Sequence, residues 1–262
     1  MRISVITASL NQGEFIERTI QSVLRQKGPF ELEYIIIDGG SSDGTLEIVK
    51  KYQSRITWIS GKDVGQSDAI NKGLEMASGE ILAWLNSDDT YEPGALSDVV
   101  EVFRQCHFEW CIGKFRIIDE HDKEIRKAIA GYKILKCKTY TYKRLLAKNF
   151  IPQPAVLFTR KVYKEIGPLC LDCHYTMDYD YWLRIGRKYK PRYIDRFLAN
   201  FRWHKKSKCG EMYKEGAYEA YLMAKKHATP ADRFSLVQNY LHYLTLSVLY
   251  TAYDALPRKS SI

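Results

Sequence analysis

The chain has 262 residues, enough for one large domain or two small ones with a substantial core. Its 45% hydrophobic and 27% charged residues make an ordinary soluble globular composition, and no run is both apolar and long enough for a confident membrane span. The formal charge of +9 is concentrated between Lys123 and Lys148, where nine Lys/Arg (123, 126, 127, 133, 136, 138, 143, 144 and 148) face the single acid Glu124, a net of +8. Such a segment suits an acidic partner, whether anionic lipid headgroups, a phosphorylated acceptor or nucleic acid, or is a solvated basic surface. Met1-Arg2-Ile3-Ser4 leads straight into a strand pattern with no secretory leader, so a cytoplasmic protein with reduced thiols is expected. Cys170-Leu171-Asp172-Cys173 has the spacing of half a zinc site, but no second pair with matching spacing follows.

In chain order, Ile3 to Ala8 is an apolar, β-branched strand followed by the polar turn Ser9-Leu10-Asn11-Gln12-Gly13. Phe15, Ile16, Ile20, Val23 and Leu24 recur at helical spacing. Glu33 to Asp38 is a second strand, ending in Asp38-Gly39-Gly40-Ser41-Ser42-Asp43-Gly44-Thr45, in which Asp43 is placed to cap the next helix. Ile56 to Ile59 is a third strand and Ser67 to Ala77 a third helix. Ile81 to Leu85 is a fourth strand, running into Asn86-Ser87-Asp88-Asp89, and Pro93 to Phe103 a fourth helix. This alternation predicts an α/β fold with a parallel sheet. No Gly-x-Gly-x-x-Gly follows the first strand and no Gly-x-x-x-x-Gly-Lys-Ser/Thr loop occurs. Phosphate binding would therefore work otherwise, and carboxylates at a strand end can do it through a divalent cation held by Asp88.

Beyond Phe108 the rhythm changes. Strands are expected over Phe108 to Ile118 and Pro154 to Phe158, and short helices over Tyr142 to Lys148 and Lys161 to Ile166. Met177-Asp178-Tyr179-Asp180-Tyr181-Trp182-Leu183-Arg184 continues at helical spacing, and Arg192 to Trp203 is extended up to His204. Glu211 to Ile262 is helical by pattern, with no Lys, Arg, Asp or Glu from Phe234 to Tyr253. A helix apolar nearly all round is expected to pack within the protein or in a homodimer, with a membrane interface beside Arg258 and Lys259 as the alternative.

The ordered set Thr7-Ala8-Ser9-Leu10-Asn11, Asp38 to Thr45, Asn86-Ser87-Asp88-Asp89 and Met177 to Arg184 resembles the family 2 glycosyltransferases, inverting enzymes of the GT-A fold. The resemblance is strongest over residues 2–100 and absent beyond His204. It implies a mostly parallel central sheet flanked by helices, in a GT-A domain over 1–205, with a nucleotide-binding half (1–104), an acceptor-binding half (105–205) and a helical C-terminal extension (206–262). It also implies a nucleotide-sugar donor, usually a UDP-sugar, with Thr7, Ser9 and Asn11 against the nucleotide and Asp38 on the base. Lys62, Gln66 and Asn71 would flank the donor. Asn86, Ser87, Asp88 and Asp89 stand at the Asp-x-Asp metal motif, with Asn86 in place of its first acid. Asp88 is then the principal ligand for Mn²⁺ or Mg²⁺, and Asp89 assists.

Asp178 stands at the position of the catalytic base, with Met177 replacing the usual preceding acid and Asp180 as runner-up. Arg184 would orient the acceptor or base, or pair with Asp180 one turn away. His204 is a candidate for the diphosphate or the metal. Arg202-Trp203 lacks the Gln of the processive Gln-x-x-Arg-Trp motif, Ala199 standing in its place. A single-addition enzyme is therefore expected, acting on a glycan, glycolipid or lipid-linked acceptor in polysaccharide biosynthesis, in peripheral contact with the inner face of an anionic membrane. The rivals are a non-catalytic nucleotide-sugar-binding homologue and a basic nucleic-acid-binding protein. Strand-end carboxylates would repel nucleic-acid phosphates, so nucleic acid is not the expected partner.

Overall fold

The computed structural model describes residues 1–204 and 213–254. The elements run β1 (Arg2–Ser9), α1 (Ile16–Leu24), β2 (Glu31–Asp38), α2 (Thr45–Lys51), β3 (Thr57–Ser60), α3 (Gln66–Met76), β4 (Ile81–Trp84), β5 (Thr90–Tyr91) and α4 (Ala95–Cys106). There follow β6 (Trp110–Ile118), β7 (Glu124–Ile125), α5 (Lys127–Lys138), α6 (Tyr142–Ala147), β8 (Val156–Thr159), α7 (Arg160–Ile166), α8 (Met177–Lys188), β9 (Arg192–Arg202), α9 (Tyr213–His227) and α10 (Arg233–Asp254). Cys209, Arg258 and Lys259 lie outside the described residues.

The strands form one sheet in the order β3-β2-β1-β4-β8-β6-β9-β5, with β7 on β6. The parallel arrangement expected from the sequence holds for β3, β2, β1 and β4. Past β4 the sheet is mixed: β8 is antiparallel to both β4 and β6, whereas β6 and β9 are parallel. Side chains alternate across the pleat. Ile3, Val5, Ile36, Ile81 and Ala83 face a core closed by α1 and α4, while Ile6, Ala8, Ile35, Ile37, Leu82 and Trp84 face one closed by α3 and α8. Continuous burial on both faces is why these strands read as unbroken apolar runs. Gly73 lets α3 lie close on β1, since a Cβ there would stand 2.4 Å from an Ile6 methyl.

The chain steps outward from β1 to β2 and β3, then returns to place β4 on the other side of β1. That reversal opens a crevice at the carboxyl ends of β1, β2 and β4, where open α/β sheets bind ligands. On the second core, Trp182 of α8 stacks between Trp84 (5.1 Å, 9° between planes) and Trp110 (5.8 Å, 16°). Each such pair adds about 0.5–1.5 kcal/mol beyond burial. The stack sets the height of α8 against the end of β4.

Two features depart from the sequence expectation. The basic segment contains a full helix, α5, which the pattern hides because its few buried positions, Ala130 and Cys137, trace no stripe. The inner side of α10 packs as expected, with Ser235 and Asn239 buried and Asn239 Nδ2 donating to the Leu146 carbonyl at 2.9 Å. Its outer side leaves Phe234, Val237, Leu241, Leu244 and Val248 exposed at alternating three- and four-residue spacing. Among the described residues, no helix is long and apolar enough to cross a membrane. Cys170 and Cys173 are both free thiols.

Candidate active site

The crevice is built from the β4 turn. Asp88 is half-buried, and its Oδ2 lies 3.1 Å from His204 Nε2, whose ring packs on Phe15 at 4.7 Å. Asp89 turns inward, fully buried: its Oδ1 accepts the Arg202 backbone N–H at 2.8 Å and its Oδ2 accepts Asn86 Nδ2 at 3.2 Å. Burial and the neighbouring Asp88 charge push the Asp89 carboxyl well above the usual carboxylate range, against the opposing pull of Arg202. Thr19 Oγ1 lies within hydrogen-bond reach of the Ser87 and Asp89 carbonyls, and holds the buried Ser87 in place. Asn86 Oδ1 accepts from Gln66 Nε2 at 3.0 Å, so the first turn of α3 closes one wall.

Arg202, the last residue of β9, is a site residue that the sequence motifs did not single out. It is fully buried, and its guanidinium donates to the carbonyls of Asp88 (2.7 Å) and Asp119 (2.6 Å) and to Asp122 Oδ1 (2.5 Å). One planar fork thereby ties the metal-motif turn to the turn after β6. The only sequence signal was the Arg202-Trp203 pair itself.

On the nucleotide side, Ser9 Oγ is buried at the end of β1 with no partner among the described residues, an orphan that a ligand hydroxyl or phosphate would satisfy. Asn11 adopts a left-handed conformation (φ 52°) and knits two loops together, its N–H donating to Ser41 Oγ and its Oδ1 accepting the Ser42 N–H. Asp38, expected on the base, is 1% exposed, and its carboxylate accepts from the Gly40 and Ser41 N–H groups and the Ser41 and Ser60 hydroxyls. It shapes the loop rather than presenting a free face. Gly44 is the N-cap residue of α2, and Asp43 just before it accepts the Thr45 N–H at 3.0 Å.

Two donor-side expectations are corrected. Thr7 is fully buried, its hydroxyl between the Tyr34 hydroxyl (3.0 Å) and the Leu85 carbonyl (2.9 Å), so it belongs to the core. Asn71 clamps the Leu169 backbone at both its carbonyl (2.9 Å) and its N–H (2.8 Å), which fixes the approach to α8 instead of the donor. Lys62 is exposed on the loop after β3.

Asp178 is the second residue of α8. The helix start is tied to α3 by Ser67 Oγ donating to Met177 Sδ at 3.1 Å. Asp178 Oδ1 accepts the Tyr179 N–H at 2.7 Å and Oδ2 accepts Asn149 Nδ2 at 3.4 Å. Burial raises its carboxyl above the ordinary range, with Lys133 and these hydrogen bonds opposing. Asn149 is another residue the motifs missed, as is Gln153, which donates Nε2 to the Trp84 carbonyl at 2.7 Å while its buried Oε1 is unpartnered among the described residues.

Asp180 and Arg184 are corrected to structural roles. Asp180 is 1% exposed, bonded to Arg184 Nε (2.8 Å) and His227 Nε2 (2.8 Å), with Lys226 Nζ at 3.6 Å. Burial alone would raise its carboxyl, but the His227 bond and these charges hold it below the ordinary range. Arg184 also donates to the Ile166 (3.0 Å) and Pro168 (2.8 Å) carbonyls, which ties it to the loop before α8.

A mixed sheet whose parallel half opens a crevice at the β1/β4 switch point is the arrangement of the GT-A class, and the comparisons agree with this fold. The family model described as glycosyl transferase family 2 matches residues 4–167, and the chain belongs to that family. Asp178 and His204 lie beyond the matched segment. An uncharacterized glycosyltransferase of Nostoc sp. is 35% identical over 175 residues, covering 64% of this chain and 54% of that relative. Among solved structures, S. aureus TarS in complex with UDP superposes with a TM-score of 0.69 at 17% identity, covering 99% of this chain and 76% of that one. The mannosyltransferase PcManGT from Pyrobaculum calidifontis, in complex with GDP-Man and Mn²⁺, gives 0.64 at 17% identity, covering 97% and 76%.

Proposed function

We propose that this chain is an inverting, non-processive glycosyltransferase. It moves a sugar from a nucleotide-sugar, a UDP-sugar in the first instance, to a hydroxyl of a glycan or lipid-linked acceptor. The observation that carries this reading is the Asp88–His204 pair at the β1/β4 switch point, held from beneath by Asp89 and Arg202.

The pair fits a divalent cation. Asp88 Oδ2 and His204 Nε2, 3.1 Å apart, are the oxygen and nitrogen donors that would hold such an ion. No cluster of three or more His, Cys, Asp or Glu side chains is gathered among the described residues. That suits a hard cation completed by substrate phosphates and water rather than a closed protein cage. When bound, Mn²⁺ or Mg²⁺ would neutralise charge on the departing diphosphate. The Mn²⁺ complex of PcManGT and the UDP complex of TarS support the same donor chemistry.

The chain's own residues do the rest. Ser9 and the Asn11–Ser41 loop would line the nucleotide, with Lys62 at the mouth and Gln66 and Asn86 beside the ribose or sugar. Asp178 accepts the proton of the attacking hydroxyl as the new glycosidic bond forms and the anomeric carbon–oxygen bond breaks, the electron pair leaving with the diphosphate. Asn149 aims the Asp178 carboxylate.

Lys133, Lys136 and Lys148 form a cluster on the Asp178 side. Lys136 and Lys148 both lie 5.4 Å from the Tyr132 ring, and burial together with its two lysine neighbours lowers the Lys148 ammonium below its usual range. This cluster would receive the phosphate of a lipid-linked acceptor at an anionic bilayer. Each lysine near such a surface is worth about 1 kcal/mol, so replacing all three with Gln is expected to weaken binding to phosphatidylglycerol-containing vesicles roughly a hundredfold. Equal vesicle co-sedimentation by the triple variant and the unaltered chain would remove the membrane role.

A further inference from the structure

The helix that carries Asp178 does not cap its own beginning. Thr176 occupies the N-cap position of α8 without a side-chain capping bond, and its hydroxyl donates to Glu219 Oε1 at 2.7 Å. The same oxygen accepts the N–H groups of Tyr175 and Thr176 at 2.9 Å each, and Oε2 accepts that of His174 at 3.3 Å. One carboxylate from α9 thus gathers three backbone amides and a hydroxyl just before α8, where the helix dipole also favours a negative charge.

The contact is part of a continuous face. Glu219, Met223 and His227 recur at four-residue spacing on α9. Met223 Sδ lies 3.5 Å from Cys173 Sγ, and His227 Nε2 meets Asp180 Oδ1 at 2.8 Å. Ala224 on the same helix is fully buried in the core that holds Trp182. Glu219 therefore grips the loop before α8 while His227 grips its first turn, with Asp178 between them in sequence. All of this comes from beyond residue 167, where the family match ends.

We propose that Glu219 is a positioning residue for the catalytic base: α9 is a strut that sets the place and solvent shielding of Asp178, so the C-terminal extension belongs to the acceptor half of the active site. The proposal rests on the reading of Asp178 as the base. The groups around Asp178 itself are Asn149, Lys133 and the Tyr179 N–H. None of them comes from α9, so any influence of Glu219 must pass through the position of α8.

The test uses the full chain as Glu219→Ala and Glu219→Gln, with carbon-detected NMR titration of the Asp178 carboxyl, amide hydrogen exchange and calorimetry with UDP and Mn²⁺. Loosening the start of α8 admits water to Asp178, so in Glu219→Ala its titration midpoint should fall toward the ordinary carboxylate value. Exchange should quicken over residues 174–178, while UDP still binds with unchanged stoichiometry. Glu219→Gln, which keeps an acceptor oxygen in place, should recover most of the midpoint. An unmoved midpoint in Glu219→Ala overturns the proposal. So does a parallel loss of UDP stoichiometry, which would make Glu219 a general stabiliser. The titration reads Asp178 directly and is independent of turnover, so its failure is distinguishable from a failure of the base assignment, which Asp178→Asn turnover tests.

Discussion

Asp178→Asn is expected to lower turnover by about 10²–10⁴-fold, the usual worth of a positioned general base, with UDP affinity nearly unchanged because the donor crevice is built from β1, β2 and β4. The pH behaviour follows from the same environment. Burial raises the Asp178 carboxyl, and only its ionised form can accept a proton. Turnover in the unaltered chain should therefore rise with pH through a midpoint above the ordinary carboxylate range. Stability runs the other way. A carboxyl whose folded-state pKa is raised contributes fully below its unfolded value and loses that contribution as pH rises through the folded one. At neutral pH the ionised Asp178 thus costs stability, and Asp178→Asn should melt no lower than the unaltered chain. Turnover near the original rate in a folded variant would move the base elsewhere.

The second large effect belongs to Arg202. Its side chain is wholly buried and bridges Asp88, Asp119 and Asp122. Deleting the guanidinium leaves the part-buried Asp88 and Asp119 carbonyls without their donor, at about 1–3 kcal/mol each, and for a chain of this size that is a fall in Tm of roughly 4–20 °C. Arg202→Lys should recover little, since one ammonium cannot span three acceptors. The loss should extend to function, because the Asp88 carbonyl and the turn holding Asp88 and Asp89 are released together. A thermal melt of Arg202→Ala within about 2 °C of the unaltered chain, with donor binding intact, would show that the turn holds without it.

The contrast between Asp88 and Thr7 shows how far the sequence reaches. Apolar runs ending in polar clusters placed the carboxyl ends of β1, β2 and β4 correctly, because burial on both faces writes strands plainly. The motifs also singled out Asp88 and His204, which meet although 116 positions apart. What the letters did not convey is the direction in which each polar side chain points. Thr7, Asn71, Asp180 and Arg184 fall in the right motifs, yet bond to Leu85, Leu169, His227 and Pro168, partners distant in sequence or on another element. Arg202, Asn149 and Glu219 escaped notice for the converse reason: each acts on an element far along the chain and leaves no local spacing. The helix α5 was missed because a solvated helix with two buried residues shows no amphipathic stripe.

In the proposed reaction Asp88, with His204, holds a divalent cation that binds the donor diphosphate. Calorimetric titration of UDP into the unaltered chain and into Asp88→Ala, each with Mn²⁺ and with the metal chelated, tests it most directly. The unaltered chain should bind UDP at least tenfold more tightly with Mn²⁺ than without, about 1.4 kcal/mol or more, and Asp88→Ala should bind equally weakly in both. Identical UDP affinity for both proteins, with and without metal, would contradict the site.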